Sequence, residues 1–433
     1  MINISSQNLE EYFSVIIQND LENKEKKIQD TFSSPTPSIT VGIGDDAIKL
    51  SGDGYFNFNK ALYEILKNPA INDTFTIEEL NSLLIKFFQD KEIDKILPED
   101  KIIKRLVSEF LIFLDKQLQE NKSKKHSFVF PIENLKINEN KWRLGQVTFL
   151  SYGGYKALIE EIRKPKLQEK NYLFFREVNK NSVFALTEAE GSNKKAKEKV
   201  VNKVNEAIDI LRLYFTNWQS HTRAQIGRKG ELTLFDEEFL SFNKDGIFRS
   251  LGWAGAGYPI PCEINQNILD IFEFYKFSKV GTILNKDTKK RNAFEKRLIE
   301  AVRWFGYSVV NPNNNHRIIM YITALETILG TKDTETYKDK SISDAIGEKG
   351  AFILGYNCET RLDIKNRLKR LYSYRSKILH QGRLEDDEVK VAKLERLTSG
   401  VLLRLIDLST EFNSMEDFDN YIKKRLFSTP WDR

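Results

Sequence analysis

The chain has 433 residues, 40% hydrophobic and 30% charged, with a net charge of +5. That composition describes a globular protein of about two to four domains, able to bury a core without disulfides. It argues against a membrane protein, since no run approaches ~18 consecutive apolar residues. The pI of about 8.7 permits nucleic-acid binding without demanding it. Cys262 and Cys358 are far apart and have no metal-ligand neighbours, and the run Met1 to Gln7 lacks the basic start and apolar middle of a signal peptide. Both features lead to the expectation of a cytoplasmic protein.

Residues 1–125 read as mostly helical with a short extended insert. Leu9 to Ile17 is amphipathic. Residues 31–58 are rich in Ser, Pro, Thr and Gly around the alternating run Ser38-Ile39-Thr40-Val41-Gly42-Ile43, which predicts a hairpin. Residues 59–121 carry helical periodicity through Leu106, Phe110, Leu111, Phe113, Leu114 and Leu118. The polar run Gln119 to Lys125 marks the first boundary.

Residues 126–286 mix the two periodicities, as an α+β unit does. Strands are expected in Ser127–Ile132, Trp142–Leu150, Ser182–Leu186 and Glu231–Phe235. A long helix is expected at about 193–218, with Val200, Val201, Val204, Ala207, Ile208, Ile210 and Leu211 on its apolar side. The basic run from Lys194 to Lys203 reads as the solvated face of that helix. The glycine-rich run Leu251 to Pro259 lacks the Lys-Ser/Thr ending of a phosphate loop and reads as an ordinary loop.

Residues 287–413 read as helical throughout, at about 290–306, 315–330, 341–354, 359–380 and 386–412. Gly306, Gly330, Gly355 and Gly382 stand where left-handed helix stops are expected. The tail, 414–433, holds one helix from Met415 to Phe427. The fold class is therefore α+β overall: mixed N-terminal regions ahead of an all-α bundle. The acidic cluster Glu385 to Glu388 complements the N-terminus of the last long helix of that bundle.

The chemistry concentrates in 359–380. At about 100° per residue, Ile364, Leu368, Leu371, Tyr372, Ile378 and Leu379 all lie within about 60° of Arg375. A guanidinium in an apolar stripe cannot shed its charge, so it needs a partner or a function. Glu326 lies on the stripe formed by Ile318, Ile319, Ile322, Leu325 and Leu329 of the helix at 315–330, and it is the expected partner. His380 lies about 140° round the helix from Arg375, in the last turn, at the rim. Histidine suits proton transfer near neutrality, and arginine suits phosphate. Together they satisfy RNA cleavage by the ribose 2′-OH, in which a base takes the hydroxyl proton and a cation stabilises the phosphorane. The same residues also fit a structural Arg–Glu pair with an exposed histidine at the helix end. His126 and His221 have no obvious partners, and His316 immediately precedes a helix and reads as capping or packing.

The segments Arg317-Ile-Ile-Met-Tyr-Ile-Thr-Ala-Leu-Glu-Thr-Ile-Leu-Gly330 and Leu371-Tyr-Ser-Tyr-Arg-Ser-Lys-Ile-Leu-His-Gln-Gly382 resemble Apea-like HEPN domains, over about residues 290–413. The resemblance implies a helical bundle and a metal-independent endoribonuclease that leaves 2′,3′-cyclic phosphate ends. Arg375 and His380 are then the catalytic pair, supported by Glu326, Ser376 and Tyr372, with Lys377 and Arg383 as candidate substrate-binding residues. It implies no metal and no cofactor, RNA (tRNA or mRNA) as substrate, and a homodimer in which two Arg–His motifs share one cleft. Proteins of this kind act as toxins and in anti-phage defence by abortive infection. By loose analogy, residues 1–286 sense a phage-derived trigger or restrain the nuclease, alone or with a regulatory partner. The residue two beyond His380 is Gly382 and not the tyrosine of one subgroup, so control by modification there is not expected. Some domains of the family only bind, and a non-catalytic module that docks RNA, a nucleotide or a partner protein is the alternative.

Overall fold

A computed structural model describes residues 4–26, 38–41, 48–51, 53–89, 99–162, 182–218, 224–228, 237–242, 248–254, 261–330, 340–381 and 388–427. The chain forms two compact units, Met1–Phe128 with Glu188–Val201, and Val129–Thr187 with Asn202–Arg433. The described residues are mostly helical, with a small antiparallel sheet.

In the first unit α1 (Ser6–Lys26) precedes the expected hairpin, β1 (Ser38–Val41) and β2 (Ile48–Ser51). The pairing is antiparallel, Ser38 opposite Ser51 and Val41 opposite Ile48. Four helices follow: α2 (Asp53–Leu66), α3 (Pro69–Thr74), α4 (Ile77–Gln89) and α5 (Glu99–Lys122). Asn68 caps α3, its side chain accepting from the amides of Ala70 and Ile71, and Pro69 fills the first turn, where no amide donor is needed. The periodic residues Leu106, Phe110, Leu114 and Leu118 of α5 are buried as expected, while Leu111 and Phe113 are partly covered. Phe13 of α1 meets Phe88 and Phe110 in tilted and edge-on contacts, the geometry aromatic rings prefer.

Most of the sheet belongs to the second unit: β5 (Lys141–Leu144), β6 (Val147–Leu150), β7 (Val183–Glu190), β3 (Lys125–Glu133) and β8 (Gly227–Arg228), in that spatial order. Trp142–Leu150 is a hairpin turning at Gly145 and Gln146. Beside the sheet in sequence are a parallel pair, β4 (Leu135–Ile137) with β11 (Cys262–Ile264), and α6 (Tyr152–Ile162). The glycine-rich run is not all loop, because Leu251 to Ala254 belong to β10 (Phe248–Ala254), which pairs with β9 (Glu237–Phe242). The strand expected at Glu231–Phe235 lies outside the described residues.

The long helix α7 (Asn193–Trp218) has the expected limits, and its apolar side, from Ala196 to Phe215, is buried. The basic run does sit on its outer turns, where Lys194 pairs with Glu78 at 3.4 Å and Lys199 with Asp73 at 3.1 Å. Then come α8 (Gln266–Phe274), α9 (Phe277–Asn285), α10 (Ala293–Val310), α11 (Asn314–Leu329), α12 (Ile342–Leu354), α13 (Cys358–Gln381), α14 (Glu388–Leu408) and α15 (Met415–Phe427). α10 packs on α11 and α12 on α13, and α14 touches all four. Its buried row Val391, Leu394, Val401, Leu402, Leu405 and Ile406 forms the centre of the bundle. No described helix is long and apolar enough to cross a membrane.

The glycine expectations fail at Gly306 in place, and at Gly330 and Gly355 in conformation only. Gly306 does not stop a helix, because α10 continues to Val310. It is there because Asp209 presses on it: a Cβ at Gly306 would stand 2.1 Å from the Asp209 carboxylate oxygen Oδ1. Asp209 also accepts from the buried Arg212 at 2.8 Å, and Arg212 donates to the Ile226 carbonyl. Gly330 and Gly355 do end α11 and α12, but with φ of −75° and −83°, outside the left-handed region. Gly382 lies outside the described residues. His316 is inside α11 and not ahead of it; its amide donates to the Asn313 cap, and its side chain is exposed.

Candidate functional site

The site is built on α11 and α13. Asn313 starts α11 by accepting from the amides of Asn315 and His316. Arg317 and Tyr321, buried in its first turns, both donate to Glu395 of α14, Arg317 at 2.8 Å. This network fixes α11 against the central helix. Burial, then the neighbouring Glu395 charge, raises the Tyr321 phenol above its ordinary value, so it remains a donor.

α13 lies close on α12. Leu368 and Leu371 are buried, and Gly350 makes room for the first: a Cβ there would stand 2.4 Å from Leu368 Cδ1. One turn further on, Arg375 reaches across to α11. Its Nη2 lies 3.2 Å from Glu326 Oε2, so the pair expected from the two apolar stripes is present. Tyr372 donates to the other carboxylate oxygen at 2.9 Å, and its ring lies 5.9 Å from the Arg375 guanidinium carbon. Burial, then the hydrogen bond to Glu326, raises the Tyr372 phenol above its ordinary value.

The depth differs from expectation. The Arg375 side chain is 28% exposed and that of Glu326 19%, a half-open site and not a sealed one. The stripe also loses its cover toward the helix end, where Ile378 is half-buried and Leu379 is 51% exposed. An α-helix places these residues on the core side, but the bundle stops short of them.

Glu326, Tyr372 and Arg375 are thus brought together, and the remaining candidates stand apart. His380 is exposed in the last turn of α13, and among the described residues no hydrogen bond or ion pair joins it to the other three. Ser376 is exposed. Lys377 places its ammonium 5.3 Å from the centre of the Tyr374 ring. Arg383 lies outside the described residues, as do Glu385, Asp386 and Asp387, while Glu388 is in the first turn of α14. Sequence reasoning missed Tyr374. Its contact with Lys377, three residues on, was readable from helical spacing, but its second cation, Lys390 at 4.6 Å, comes from α14 and was not.

Among the described residues no three His, Cys, Asp or Glu side chains gather as a metal site. His126 leaves a buried Nε2 with no hydrogen bond among the described residues, and its ring lies 6.4 Å from that of Phe128. His221 is outside the described residues. No protein-family model matches the chain, and no curated protein or solved structure matches it either.

Proposed function

We propose that the chain is a metal-independent endoribonuclease of the HEPN class. The observation that carries the reading is an arginine held half-open by Glu326, on the same helix as an exposed histidine. In the proposed reaction His380 takes the proton of a ribose 2′-OH, and the oxygen attacks the adjacent phosphorus. Arg375 stabilises the negative charge on the non-bridging oxygens. The imidazolium so formed at His380 gives its proton to the departing 5′-oxygen, leaving a 2′,3′-cyclic phosphate and a 5′-hydroxyl. Glu326 and Tyr372 position the guanidinium.

Arg375 and His380 are about 140° apart around α13, so one copy presents them to different sectors. A pair of copies facing each other brings one histidine to the other's arginine, and Leu379, exposed beside His380, supplies apolar surface for such a homodimer. The wider setting in this proposal is a cytoplasmic, toxin-like anti-phage effector that cuts tRNA or mRNA. Its N-terminal region senses a phage-derived trigger or restrains the nuclease.

One observation favours a second reading. The Arg375 charge is already matched by Glu326, as it is in a purely structural pair. On that reading the helical region binds RNA, a nucleotide or a partner protein without cutting. Wild-type and His380→Ala protein incubated with total RNA and tRNA in EDTA separate the two. Cutting that leaves cyclic-phosphate ends and vanishes in the variant supports the nuclease, and loss of wild-type cutting in EDTA counts against it. RNA binding without cutting by either protein supports the second reading.

A further inference from the structure

The β5–β6 hairpin and α9 line a cleft of about 370 Å³. Its two walls are fixed to each other at three points. Trp142 stacks on Phe277, with ring centroids 6.0 Å apart and planes inclined by 17°. Gly145, left-handed at φ +58°, lets the hairpin turn press on α9, since a Cβ there would stand 2.4 Å from Leu284 Cβ. Gln146 donates from Nε2 to the Asn285 carbonyl at 3.0 Å. Small-molecule sites are largely preformed in this way, and the volume falls at the lower end of their range of about 300–1,000 Å³.

Gly281 lines this cleft from the middle of α9. Glycine weakens a helix interior relative to alanine. Gly306, Gly347 and Gly350, also within helices, have a packing reason: a Cβ at each would stand 2.1, 3.0 and 2.4 Å from a neighbouring side chain. At Gly281 a Cβ would meet nothing within 4 Å among the described residues. Internal packing therefore gives no reason for a glycine there. Glycine does serve where a ligand comes close to the backbone.

Arg143 brings charge to the cleft. Its Nε donates to the Gly145 carbonyl at 2.8 Å, which draws the guanidinium toward the turn. Its terminal nitrogens meet no carboxylate among the described residues. Glu273 is held at the Phe277 end instead, by the amide and hydroxyl of Ser278 at 3.0 and 2.7 Å. A planar guanidinium fixed through Nε presents its other nitrogens as a fork, which matches the oxygen pair of a carboxylate or phosphate. Phe277 and Leu144 supply apolar surface beside it.

We infer that this cleft binds a small organic anion, a carboxylate or phosphomonoester on a flat apolar body, with the anionic group on Arg143 and the body against Gly281 and Phe277. The site lies on other elements than Arg375 and His380 and does not depend on the ribonuclease reading.

Saturation-transfer NMR titrations of the full chain with benzoate and phenyl phosphate test it. At least one is expected to bind at about millimolar or tighter, as suits anions of this size, and the stronger of the two tells carboxylate from phosphate. Benzyl alcohol, a similar body without the charge, is to bind about tenfold more weakly or worse. Arg143→Ala is to weaken anion binding about tenfold or more, and Arg143→Lys, which keeps the charge and loses the fork, is to recover only part of it. Gly281→Leu, which fills the open space, is to abolish binding while the melting temperature is unchanged or raised. No binding of either anion up to about 10 mM overturns the inference. So does binding that survives Arg143→Ala or Gly281→Leu, or equal binding of benzyl alcohol. A lowered melting temperature in Gly281→Leu overturns it as well, because the space beside Gly281 would then not be open.

Discussion

Glu326 on α11 and Arg375 on α13 meet 3.2 Å apart, with neither side chain sealed from solvent. That exposure decides the energetics. Removing one member of a fully buried pair costs about 3–5 kcal/mol, but water screens a half-open one to about 1 kcal/mol. Arg375→Ala is therefore expected to lower stability by about 1 kcal/mol and, on the ribonuclease reading, to abolish RNA cleavage. Urea unfolding run beside the cleavage assay checks both. A loss of several kcal/mol with cleavage intact would make the pair purely structural.

Tyr372→Phe removes the hydroxyl that donates to Glu326 at 2.9 Å. A hydrogen bond to a carboxylate at this partly covered position contributes about 1–2 kcal/mol. On the ribonuclease reading the freed Glu326 also loosens Arg375, so kcat falls more than KM changes. Steady-state cleavage of a short oligonucleotide separates the two constants, and a change confined to KM would place Tyr372 at the substrate and not behind the guanidinium.

Alkaline pH has a predictable effect. Tyr214, Tyr321 and Tyr372 all have phenols raised above the ordinary value of 10.0, with burial the first cause at each. Above about pH 10 the unfolded phenols lose protons that the folded ones still hold. The folded state then binds more protons, and stability falls as pH rises. Below the ordinary value the contribution is constant. Urea unfolding from about pH 8 to about pH 11 is expected to show the fall, and Tyr214→Phe to flatten it. An unchanged slope in that variant would rule out Tyr214 as a source.

Lys349 of α12 lies 2.7 Å from Asp419 of α15, and both side chains are almost wholly buried. Asp419→Ala is expected to cost about 3–5 kcal/mol by taking from a buried ammonium the carboxylate it meets at 2.7 Å. The double variant Lys349→Met, Asp419→Leu is expected to recover most of that loss, because two buried charges leave together. Equilibrium unfolding of the single and double variants measures the coupling, and additive losses would show that the pair is not coupled.

The parts of this molecule legible in the sequence are those fixed by local periodicity. The limits of α7 and α15 follow from apolar spacing and stop signals. The Glu326–Arg375 pair followed from two polar residues in two apolar stripes. The illegible parts depend on what approaches from elsewhere in the chain. Nothing near Gly306 announces Asp209, which lies 97 positions earlier in the sequence. Nothing near Tyr374 announces Lys390. Lys349 is an intermediate case: Ala345, Ile346 and Ile353, three and four residues away on the same helical face, are buried with it, so its spacing signalled burial that its residue type concealed.

Tyr372, Tyr374, Arg375, Ser376, Lys377 and His380 all belong to α13. Their spacing is therefore set by one rigid rod and not by loops that can adjust separately. Inserting a single residue between Arg375 and His380 would rotate the histidine by about 100° and advance it by about 1.5 Å. Substitutions within this stretch can be graded in effect, whereas a change of length cannot. The five-residue interval from Arg375 to His380 is a dimension of the protein that its helix holds to the residue.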